Sequence, residues 1–209
     1  MKMVFLGPPG AGKGTLAVMA SERRKLPHIS TGDLFRAAIR NETALGKQVK
    51  NMLAEGKLVP DDLTIAIVKE RLSLEDARGG WILDGFPRTT GQAQALQALD
   101  PVELVVNFDV SDRVILFRLT GRRVCRECGK IYHVDTMPPI RAGICDACGG
   151  PLYVRPDDRE DSIKTRLLAY REQTEPLIAW YGRLGCLVTI DGSGSPDAVY
   201  ARFLEVVGA

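Results

Sequence analysis

The stretch of sequence that decides the fold is Gly7-Pro8-Pro9-Gly10-Ala11-Gly12-Lys13-Gly14-Thr15, which directly follows the short apolar run Lys2–Leu6. An apolar run, a glycine-rich loop with a lysine, and an apolar helix pattern occur here in the order that a phosphate-binding loop requires. The glycines let the backbone curl so that several N–H groups point at one phosphate cluster, and the helix N-terminus adds its dipole. We therefore expect a phosphate-binding loop in which Lys13 reaches the β- and γ-phosphates of a nucleotide.

The loop departs from the common phosphate-loop pattern at one position. The serine or threonine that usually follows Gly-Lys is Gly14 here, and Thr15 comes one residue later. A dinucleotide-binding fold is disfavoured, because the glycines are not spaced G-x-G-x-x-G and a lysine stands among them.

Composition limits the class of protein. The chain has 209 residues, of which 45% are hydrophobic and 26% are charged, as in one globular domain with small inserts. The net charge of +2 and the aromatic content of 6% argue against a nucleic-acid partner. No apolar run approaches the roughly 20 residues of a membrane span. Five cysteines without a secretory signal favour the reducing cytoplasm.

Short apolar runs alternate with stretches of helical spacing, which predicts an α/β fold with a parallel sheet of five strands between helices. The predicted strands are Lys2–Leu6, Pro27–Ser30, Trp81–Leu83, Leu104–Phe108 and Cys186–Ile190. Pro156-Asp157-Asp158 is predicted to open a helix that continues to Tyr170, since proline suits the first helical position and acids suit the first turn.

Two segments break the alternation and are predicted to project from the core. Residues Thr31 to Val59 have helical spacing with Asn41-Glu42-Thr43 as a turn, and they contain no strand candidate. Residues Gly121 to Val154 carry four cysteines, a Pro138-Pro139 pair and several glycines, and they lack a helical period.

The second segment holds a candidate metal site. Cys125-x-x-Cys128 and Cys145-x-x-Cys148 are separated by sixteen residues, a spacing typical of structural zinc sites. Four thiolates fill the tetrahedral positions of one ion and leave none open for catalysis. Gly129 and Gly149, each just after a pair, suit the tight turns. Two disulfides, free thiols, iron in place of zinc, or a nucleic-acid-binding ribbon are the alternatives.

Asp84 is a candidate for holding magnesium. It follows the predicted strand Trp81-Ile82-Leu83, and a carboxylate at the end of a central strand beside a phosphate loop is where nucleoside triphosphatases hold Mg²⁺, directly or through water. The alternative is an ordinary aspartate that terminates a strand in a turn.

Several further stretches resemble the adenylate kinase family over essentially the whole chain. They are Gly7–Thr15, Ile29–Arg36, Leu83–Arg88, Gly121-Arg122-Arg123, and Arg155 with Asp157-Asp158 and Arg166. The resemblance implies the P-loop nucleoside monophosphate kinase fold and the reaction ATP + AMP ⇌ 2 ADP with Mg²⁺. It also implies a core of residues 1–29, 60–120 and 160–209, a helical insert for the monophosphate at residues 30–59, and a zinc-ribbon-like lid at residues 121–159.

The arginines fit this chemistry independently of the resemblance. ATP and AMP together bring roughly six negative charges and Mg²⁺ cancels about two, so alignment of the phosphates needs several fixed cations. Arginine binds phosphate oxygens bidentately and stays charged. The candidate cations are Lys13, Arg36, Arg88, Arg118, Arg122, Arg155 and Arg166. Arg88 and Gln92 are four residues apart and are expected to share one helix face.

The resemblance also assigns individual roles. For catalysis it implies Lys13, Arg88, Arg122, Arg155 and Arg166. For ATP it implies Gly10, Ala11, Gly12, Lys13, Gly14, Thr15, Arg118, Arg122, Ile131, Tyr132 and the backbone at Gly194. For AMP it implies Thr31, Arg36, Lys57, Leu58, Val59, Gly85, Phe86, Pro87, Arg88, Gln92, Arg155 and Arg166.

Two other functions remain open on the sequence alone. One is a nucleoside monophosphate kinase with UMP or CMP as its acceptor, and the other is a non-catalytic nucleotide-sensing or nucleic-acid-binding protein. No general base stands out, and phosphate oxygen as the nucleophile requires none. His28 is interpreted as structural. We expect a monomer that binds ATP, AMP and ADP and holds a structural Zn²⁺.

Overall fold

The computed structural model describes residues 1–208, and these form a central parallel sheet, flanking helices and a small second sheet. In chain order the strands are β1 (Lys2–Leu6), β2 (His28–Ser30), β3 (Trp81–Asp84), β4 (Leu104–Asp109), β5 (Arg122–Cys125), β6 (Ile131–His133), β7 (Leu152–Tyr153) and β8 (Leu187–Asp191). The α-helices are α1 (Lys13–Arg24), α2 (Thr31–Arg40), α3 (Ala44–Ala54), α4 (Asp61–Leu72), α5 (Thr90–Leu99), α6 (Asp112–Gly121), α7 (Glu160–Ala169), α8 (Pro176–Arg183) and α9 (Pro196–Val207). Short 3₁₀ turns lie at Glu75–Ala77 and Pro156–Asp158, and a π-helical turn at Tyr170–Thr174 joins α7 to α8.

The central sheet has the strand order β2-β3-β1-β4-β8, and every pair is parallel. The predicted five-stranded parallel sheet is therefore confirmed. Because β1 pairs with β3 on one side and β4 on the other, the direction of chain progression reverses at β1. Ligands of open α/β sheets bind at the carboxyl edge where this reversal occurs.

Residues of β1 alternate between two cores, one on each face of the sheet. Met3 and Phe5 pack with residues of α1 and α9, whereas Val4 and Leu6 pack with residues of α4, α5 and α8. All four side chains are buried, which explains why this strand is a continuous apolar run rather than an alternating one.

Short polar side chains begin several of the helices. Ser30, Thr43, Thr89 and Ser195 each accept a hydrogen bond from the backbone N–H three residues later, at the starts of α2, α3, α5 and α9. Such caps satisfy an N–H that the helix itself leaves free. The cap at Thr89 fixes where α5 starts, and so it bears on the site described below.

The first projecting segment is helical, as the sequence predicted. It folds as α2 and α3 with a turn between them, and Phe35, Val49 and Val59 form a small core of its own. The second segment folds as an antiparallel sheet with the strand order β6-β5-β7.

Several predicted boundaries shift by one residue or more in the structure, and two of these shifts change how a residue is interpreted. The last strand of the central sheet begins at Leu187, so Cys186 precedes it and is only half-buried rather than a core residue of the strand. Pro156 opens a separate 3₁₀ turn, and α7 begins only at Glu160. The reason is Arg159, whose extended backbone (φ −72°, ψ 149°) interrupts the helical hydrogen bonding between the two elements.

Among the helices of residues 1–208, none combines the length and the apolar character that a bilayer crossing requires.

The packing of α2 against α3 generates a stability prediction. A Cβ at Gly46 would lie 2.1 Å from the carbonyl oxygen of Ala38, so the two helices cross in close backbone contact there. We expect Gly46→Ala to lower the free energy of unfolding by about 2 kcal/mol, because overpacking forces the helices apart. Gly79→Ala is the control, since a Cβ at Gly79 meets nothing within 4 Å. Equal unfolding curves for the two variants would contradict this prediction.

Candidate functional site

The glycine-rich loop lies between β1 and α1, at the carboxyl edge of the central sheet. Gly7 and Gly12 have φ values of 139° and 97°, a region that residues with a side chain rarely adopt. Gly12 is also the N-cap of α1, so the free N–H groups of that helix and its dipole point into the loop. This is the geometry of an anion site.

The structure explains why position 14 is a glycine. A Cβ at this position would lie 3.3 Å from Oδ2 of Asp84, closer than an ordinary van der Waals contact. A serine or threonine would therefore crowd the carboxylate at the end of β3. The departure from the common loop pattern keeps Asp84 next to the start of α1.

The Lys13 side chain folds back over the loop. Its Nζ donates to the carbonyl oxygens of Gly7 at 2.7 Å and Pro8 at 2.8 Å. Burial lowers the pKa of Lys13 to about 8; Asp84 opposes this shift, and Arg88 is the first of three arginines that add to it. Lys13 is thus a cation held in place by carbonyl dipoles alone.

Three of the predicted arginines are paired with carboxylates. Arg36 contacts Asp33 with Nη2–Oδ1 at 2.6 Å. Arg122 donates from Nε to Asp158 at 2.8 Å, and Arg166 contacts the same carboxylate at 3.1 Å. The Asp158 side chain has no exposed surface, so two guanidinium groups share one buried negative charge. Arg166 also reaches Asp157, at 3.0 Å.

Lys13, Arg88 and Arg155 form no ion pair with a carboxylate of residues 1–208. Arg88 donates from Nε to the carbonyl of Gly85 at 2.8 Å. Burial, with neighbouring Arg166, lowers the pKa of Arg88 to about 10. Arg155 is only 8% exposed, and its buried Nε has no hydrogen-bond partner in the described part of the chain.

The pKa of Arg155 is also lowered to about 10, by burial and then by the nearby Arg36 and Arg122. Both guanidinium groups therefore stay charged at neutral pH although burial and like charges oppose it. A buried cation without a counter-ion is strongly unfavourable unless an anion neutralises it. Together with the half-buried Lys13, these two arginines give this part of the structure a local excess of positive charge.

These cations converge on a cavity of about 660 Å³ at the carboxyl edge of the sheet. Every residue that the sequence assigned to nucleotide or Mg²⁺ binding lines this cavity except Phe86. Phe86 is 2% exposed and packs in the core with Leu83 and Leu96 instead, because the chain turns at Gly85 and directs it away from the cavity. Its side chain therefore does not contribute to the site.

Arg118 differs from the other predicted cations. Its guanidinium donates to the carbonyl oxygens of Ala11 at 3.1 Å, Gly192 at 2.9 Å and Gly194 at 3.1 Å. Arg118 therefore ties the glycine-rich loop to the loop between β8 and α9. Burial lowers the pKa of this guanidinium, against the opposing effect of Asp191.

Arg88 and Gln92 do meet, but not on a helix face as the sequence predicted. Thr89 caps α5 and the helix begins at Thr90, so Arg88 lies in the preceding loop. The contact is a hydrogen bond from the Arg88 backbone N–H to Gln92 Oε1 at 2.8 Å. The Gln92 side chain is 1% exposed and lines the cavity.

Asp84 has a neighbour that the sequence did not predict. The His28 Nε2 atom lies 3.7 Å from Asp84 Oδ2, because β2 and β3 pair at this edge. Burial alone would raise the pKa of Asp84, but His28 and Lys13 outweigh that effect and hold it below its ordinary value. Asp84 is therefore an anion at neutral pH, beside the phosphate loop.

The four lid cysteines lie together, with each sulfur within 4.8 Å of the others. The Sγ–Sγ distances are 3.4 Å for Cys125 and Cys148 and 3.6 Å for Cys128 and Cys145. A tetrahedral zinc with Zn–S bonds of about 2.3 Å places its sulfurs about 3.8 Å apart, whereas a disulfide needs about 2.05 Å. The cluster fits a four-thiolate metal site, and none of these cysteines is in a disulfide.

Two matching turns present these sulfurs. Gly129 N–H donates to the Cys125 carbonyl at 3.1 Å, and Gly149 N–H donates to the Cys145 carbonyl at 2.9 Å. Both glycines have positive φ, at 76° and 74°. The predicted role of these glycines in the tight turns is confirmed.

Tyr132 points away from the nucleotide cavity and toward the cysteines. Its hydroxyl lies 3.4 Å from Cys145 Sγ and accepts a hydrogen bond from the Asp146 N–H at 2.7 Å. Only the remainder of Tyr132 is left to line the cavity. The adjacent His133 accepts at Nδ1 from the N–H groups of Asp135 and Thr136 and contacts the Phe117 carbonyl at 3.1 Å through Nε2, which attaches β6 to α6.

Comparison with known proteins agrees with this geometry. Residues 5–186 match the family model described as "Adenylate kinase". A protein named adenylate kinase from Treponema denticola is 53% identical over 97% of both chains. Adenylate kinases from Caldicellulosiruptor bescii and Methanococcoides burtonii are 49% and 48% identical, over 100% and 99% of this chain and 99% and 98% of theirs.

The shared carboxylate of Asp158 generates a prediction. Asp158→Asn removes the negative charge between Arg122 and Arg166, so Arg122 loses its carboxylate partner and Arg166 keeps only Asp157. We expect the free energy of unfolding to fall by about 3 kcal/mol, measured by denaturant titration. Asp161→Asn, at an exposed position of α7, should change it little. Equal free energies of unfolding for the two variants would show that the pairing of Asp158 with the two arginines does not stabilise the fold.

Proposed function

Because the chain belongs to the adenylate kinase family, we propose that its cavity holds ATP and AMP with their phosphate ends facing each other, between the glycine-rich loop and Arg88. The protein is a phosphotransferase of this family, and its reaction converts ATP and AMP to two ADP. The observation that supports the assignment of the site is a set of three cations that form no ion pair with a carboxylate, namely the buried Arg155 and the half-buried Lys13 and Arg88. Facing phosphate groups supply the charge that these cations need.

The ATP side consists of the glycine-rich loop, Lys13 and the lid arginine Arg122. The backbone N–H groups of the loop and the dipole of α1 hold the β- and γ-phosphates. Arg118 braces the loop through Ala11 and places the Gly194 carbonyl beside it, which favours this end for the adenine of ATP. In this arrangement Arg118 acts on the shape of the site rather than on the phosphates.

The AMP side consists of residues from the helical insert and from the Gly85–Arg88 turn. Arg36 and Arg88 line the cavity here, with Thr31 donating to the Gly85 carbonyl at 2.8 Å. Lys57, Leu58 and Val59 line the wall next to them, and Gln92 presents the buried amide group. We assign the AMP phosphate to the arginines and the AMP base to Gln92.

The transfer step requires alignment rather than a base. An oxygen of the AMP phosphate is the nucleophile and is already ionised, and it forms the new P–O bond as the bond to the leaving ADP breaks. Lys13, Arg88, Arg122, Arg155 and Arg166 surround the transferred group and stabilise its charge in the transition state. Mg²⁺, held near Asp84 through water, supplies further charge neutralisation when it is bound.

The lid and the insert meet over the cavity, which supports a role in excluding water. Arg36 of the insert adds to the effect of burial in lowering the pKa of Arg155 of the lid, and Arg155 helps Arg36 to hold the pKa of Asp33 below its ordinary value against burial. Ser162 Oγ donates to the Ala54 carbonyl at 2.9 Å, joining α7 to the end of α3. We propose that the lid opens and closes during turnover and that opening limits the rate.

We assign zinc to the four-cysteine site, where it would stabilise a sheet too small to build its own core. The cysteines belong to a small apolar cluster of the lid, in which Cys125, Cys145 and Tyr132 are buried and Leu152 packs against them. Zinc binding needs reduced thiols, which supports a cytoplasmic location. The net charge of +2 and the aromatic content of 6% support the absence of a nucleic-acid partner, and we propose a monomer.

Acceptor preference tests the proposed function. With ATP and Mg²⁺, we expect the protein to phosphorylate AMP in preference to UMP, CMP and GMP, and Arg88→Ala to lower kcat/KM for AMP on the order of a thousandfold. Arg183→Ala, at an exposed position, is the matched control and should retain the activity. Preference for UMP or CMP, or an active Arg88→Ala variant, would overturn the assignment.

The zinc assignment is tested by metal content and heat. Cys125→Ser should lose the metal and lower the Tm by about 6–12 °C, the shift that a loss of about 3 kcal/mol causes in a chain of this length. Cys186→Ser is the control, because Cys186 lies outside the cluster. Loss of the metal without a change in Tm would exclude a structural role, and iron in the purified protein would exclude zinc.

A further inference from the structure

The Gln92 amide has two neighbours of fixed chemistry. Its Oε1 accepts from the Arg88 backbone N–H at 2.8 Å, and its Nε2 donates to Asp61 Oδ1 at 2.8 Å. A backbone N–H can only donate, and a carboxylate can only accept. The amide oxygen must therefore face Arg88 and the amide nitrogen must face Asp61, because the reverse orientation would set donor against donor and acceptor against acceptor.

The second carboxylate oxygen of Asp61 also accepts a hydrogen bond, which holds the Asp61 side chain in place. Thr89 Oγ1 donates to Asp61 Oδ2 at 2.6 Å, while the same hydroxyl accepts from the Gln92 N–H at 3.1 Å to cap α5. Asp61 is the first residue of α4, so its carboxylate joins the starts of two helices. Gly91 leaves room for it, since a Cβ there would lie 3.0 Å from Oδ2.

The Gln92 amide has few hydrogen-bonding positions left for a ligand. A side-chain amide offers two N–H donors and two oxygen lone pairs. Asp61 uses one donor and Arg88 uses one lone pair, which leaves one donor and one acceptor for a ligand in the cavity that Gln92 lines. Because the orientation is fixed, the order of that donor and acceptor in space is fixed as well.

Nucleobases fall into two groups by this order. Adenine and cytosine present an amino donor next to a ring-nitrogen acceptor, whereas guanine, hypoxanthine and uracil present a carbonyl acceptor next to a ring N–H donor. An amide that turns freely serves both groups. An amide held in one orientation forms hydrogen bonds with the bases of one group. With the bases of the other group it places donor against donor and acceptor against acceptor, which is strongly unfavourable in a buried site.

We propose that Asp61 is a positioning residue that fixes the orientation of the Gln92 amide and thereby makes the acceptor site select 6-aminopurine over 6-oxopurine monophosphates. This inference rests on the proposed function, since it takes Gln92 as the group that faces the acceptor base. Asp61 itself does not line the cavity, and it acts only through Gln92.

The experiment compares AMP with IMP, which differ in the amino or oxo group at C6 and in the bare or protonated ring nitrogen N1 beside it. For Asp61→Leu we expect the ratio of kcat/KM for AMP to that for IMP to fall about tenfold, through a higher KM for AMP, because one charged hydrogen bond is lost. The kcat with saturating AMP should stay within about threefold of the wild type, since the phosphate-binding groups are untouched.

Two matched variants make the comparison specific. Asp62→Leu removes the neighbouring, exposed carboxylate of the same helix turn and should leave the AMP:IMP ratio unchanged. Asp61→Asn keeps an oxygen that can accept from Gln92 and should retain most of the selectivity. An unchanged ratio in Asp61→Leu would overturn the proposal.

Gln92→Leu separates this inference from the proposed function. If Gln92→Leu lowers the AMP:IMP ratio and Asp61→Leu does not, the role of Asp61 is wrong and the assignment of Gln92 stands. If Gln92→Leu also keeps the ratio, then the assignment of Gln92 under the proposed function is wrong and the inference falls with it.

A measurement on the unaltered protein avoids any dependence on variants that fold. The side-chain amide protons of Gln92 should exchange with solvent at least about tenfold more slowly than those of Gln94, which is exposed on the same helix. Equal exchange rates, measured by NMR in the absence of nucleotide, would show that the Gln92 amide is not held and would overturn the proposal.

Discussion

Repulsion among buried cations is the interaction on which the rest of this structure depends. Lys13, Arg88 and Arg155 are packed into one cavity, where burial and the neighbouring arginines lower the pKa of each. Such an arrangement is unfavourable in the empty protein, so the folding energy of the two cores must hold it together. Under the proposed function, phosphate groups remove the repulsion, and the same charges then stabilise the transition state, in which negative charge is spread over the transferred group.

The elements around the cavity each serve this arrangement. Parallel strands bring the glycine-rich loop and Asp84 to one edge, and Gly14 keeps them in contact. The acidic residues beside the site neutralise only some of the arginines: Asp158 fixes Arg122 and Arg166, while Arg155 keeps an unpartnered Nε. We therefore propose that the paired arginines give the site its shape and that the unpaired cations bind the phosphate groups.

Most of the fold and of the cavity lining could be predicted from the sequence, because the motifs that indicate them are local. The glycine-rich loop, the five apolar strands and the paired cysteines each depend on spacing within about ten to thirty residues, and the structure contains all of them. The resemblance to a family supplied the insert, the lid and most of the cavity lining. The division into core, insert and lid at residues 30–59 and 121–159 stays a prediction.

What the sequence did not predict depends on contacts between distant segments. Asp61 and Gln92 meet only because α4 and α5 begin side by side, and no periodicity indicates that a helix cap at Thr89 shifts Arg88 out of the helix. Tyr132 was expected to contact ATP, but its hydroxyl points to Cys145, since alternate residues of β6 face opposite sides. Phe86 was expected in the site and lies in the core, because the chain turns at Gly85.

The central claim is that phosphate groups neutralise buried cations in this cavity, and proton uptake on binding tests it most directly. At pH 8 about half of the Lys13 side chains are unprotonated in the free protein, because the pKa of Lys13 is about 8. Titration calorimetry with ADP at pH 8, in buffers of different ionisation enthalpy, should therefore show an uptake of about half a proton that is absent in Lys13→Met. Binding without proton uptake, or uptake that persists in Lys13→Met, would contradict the account.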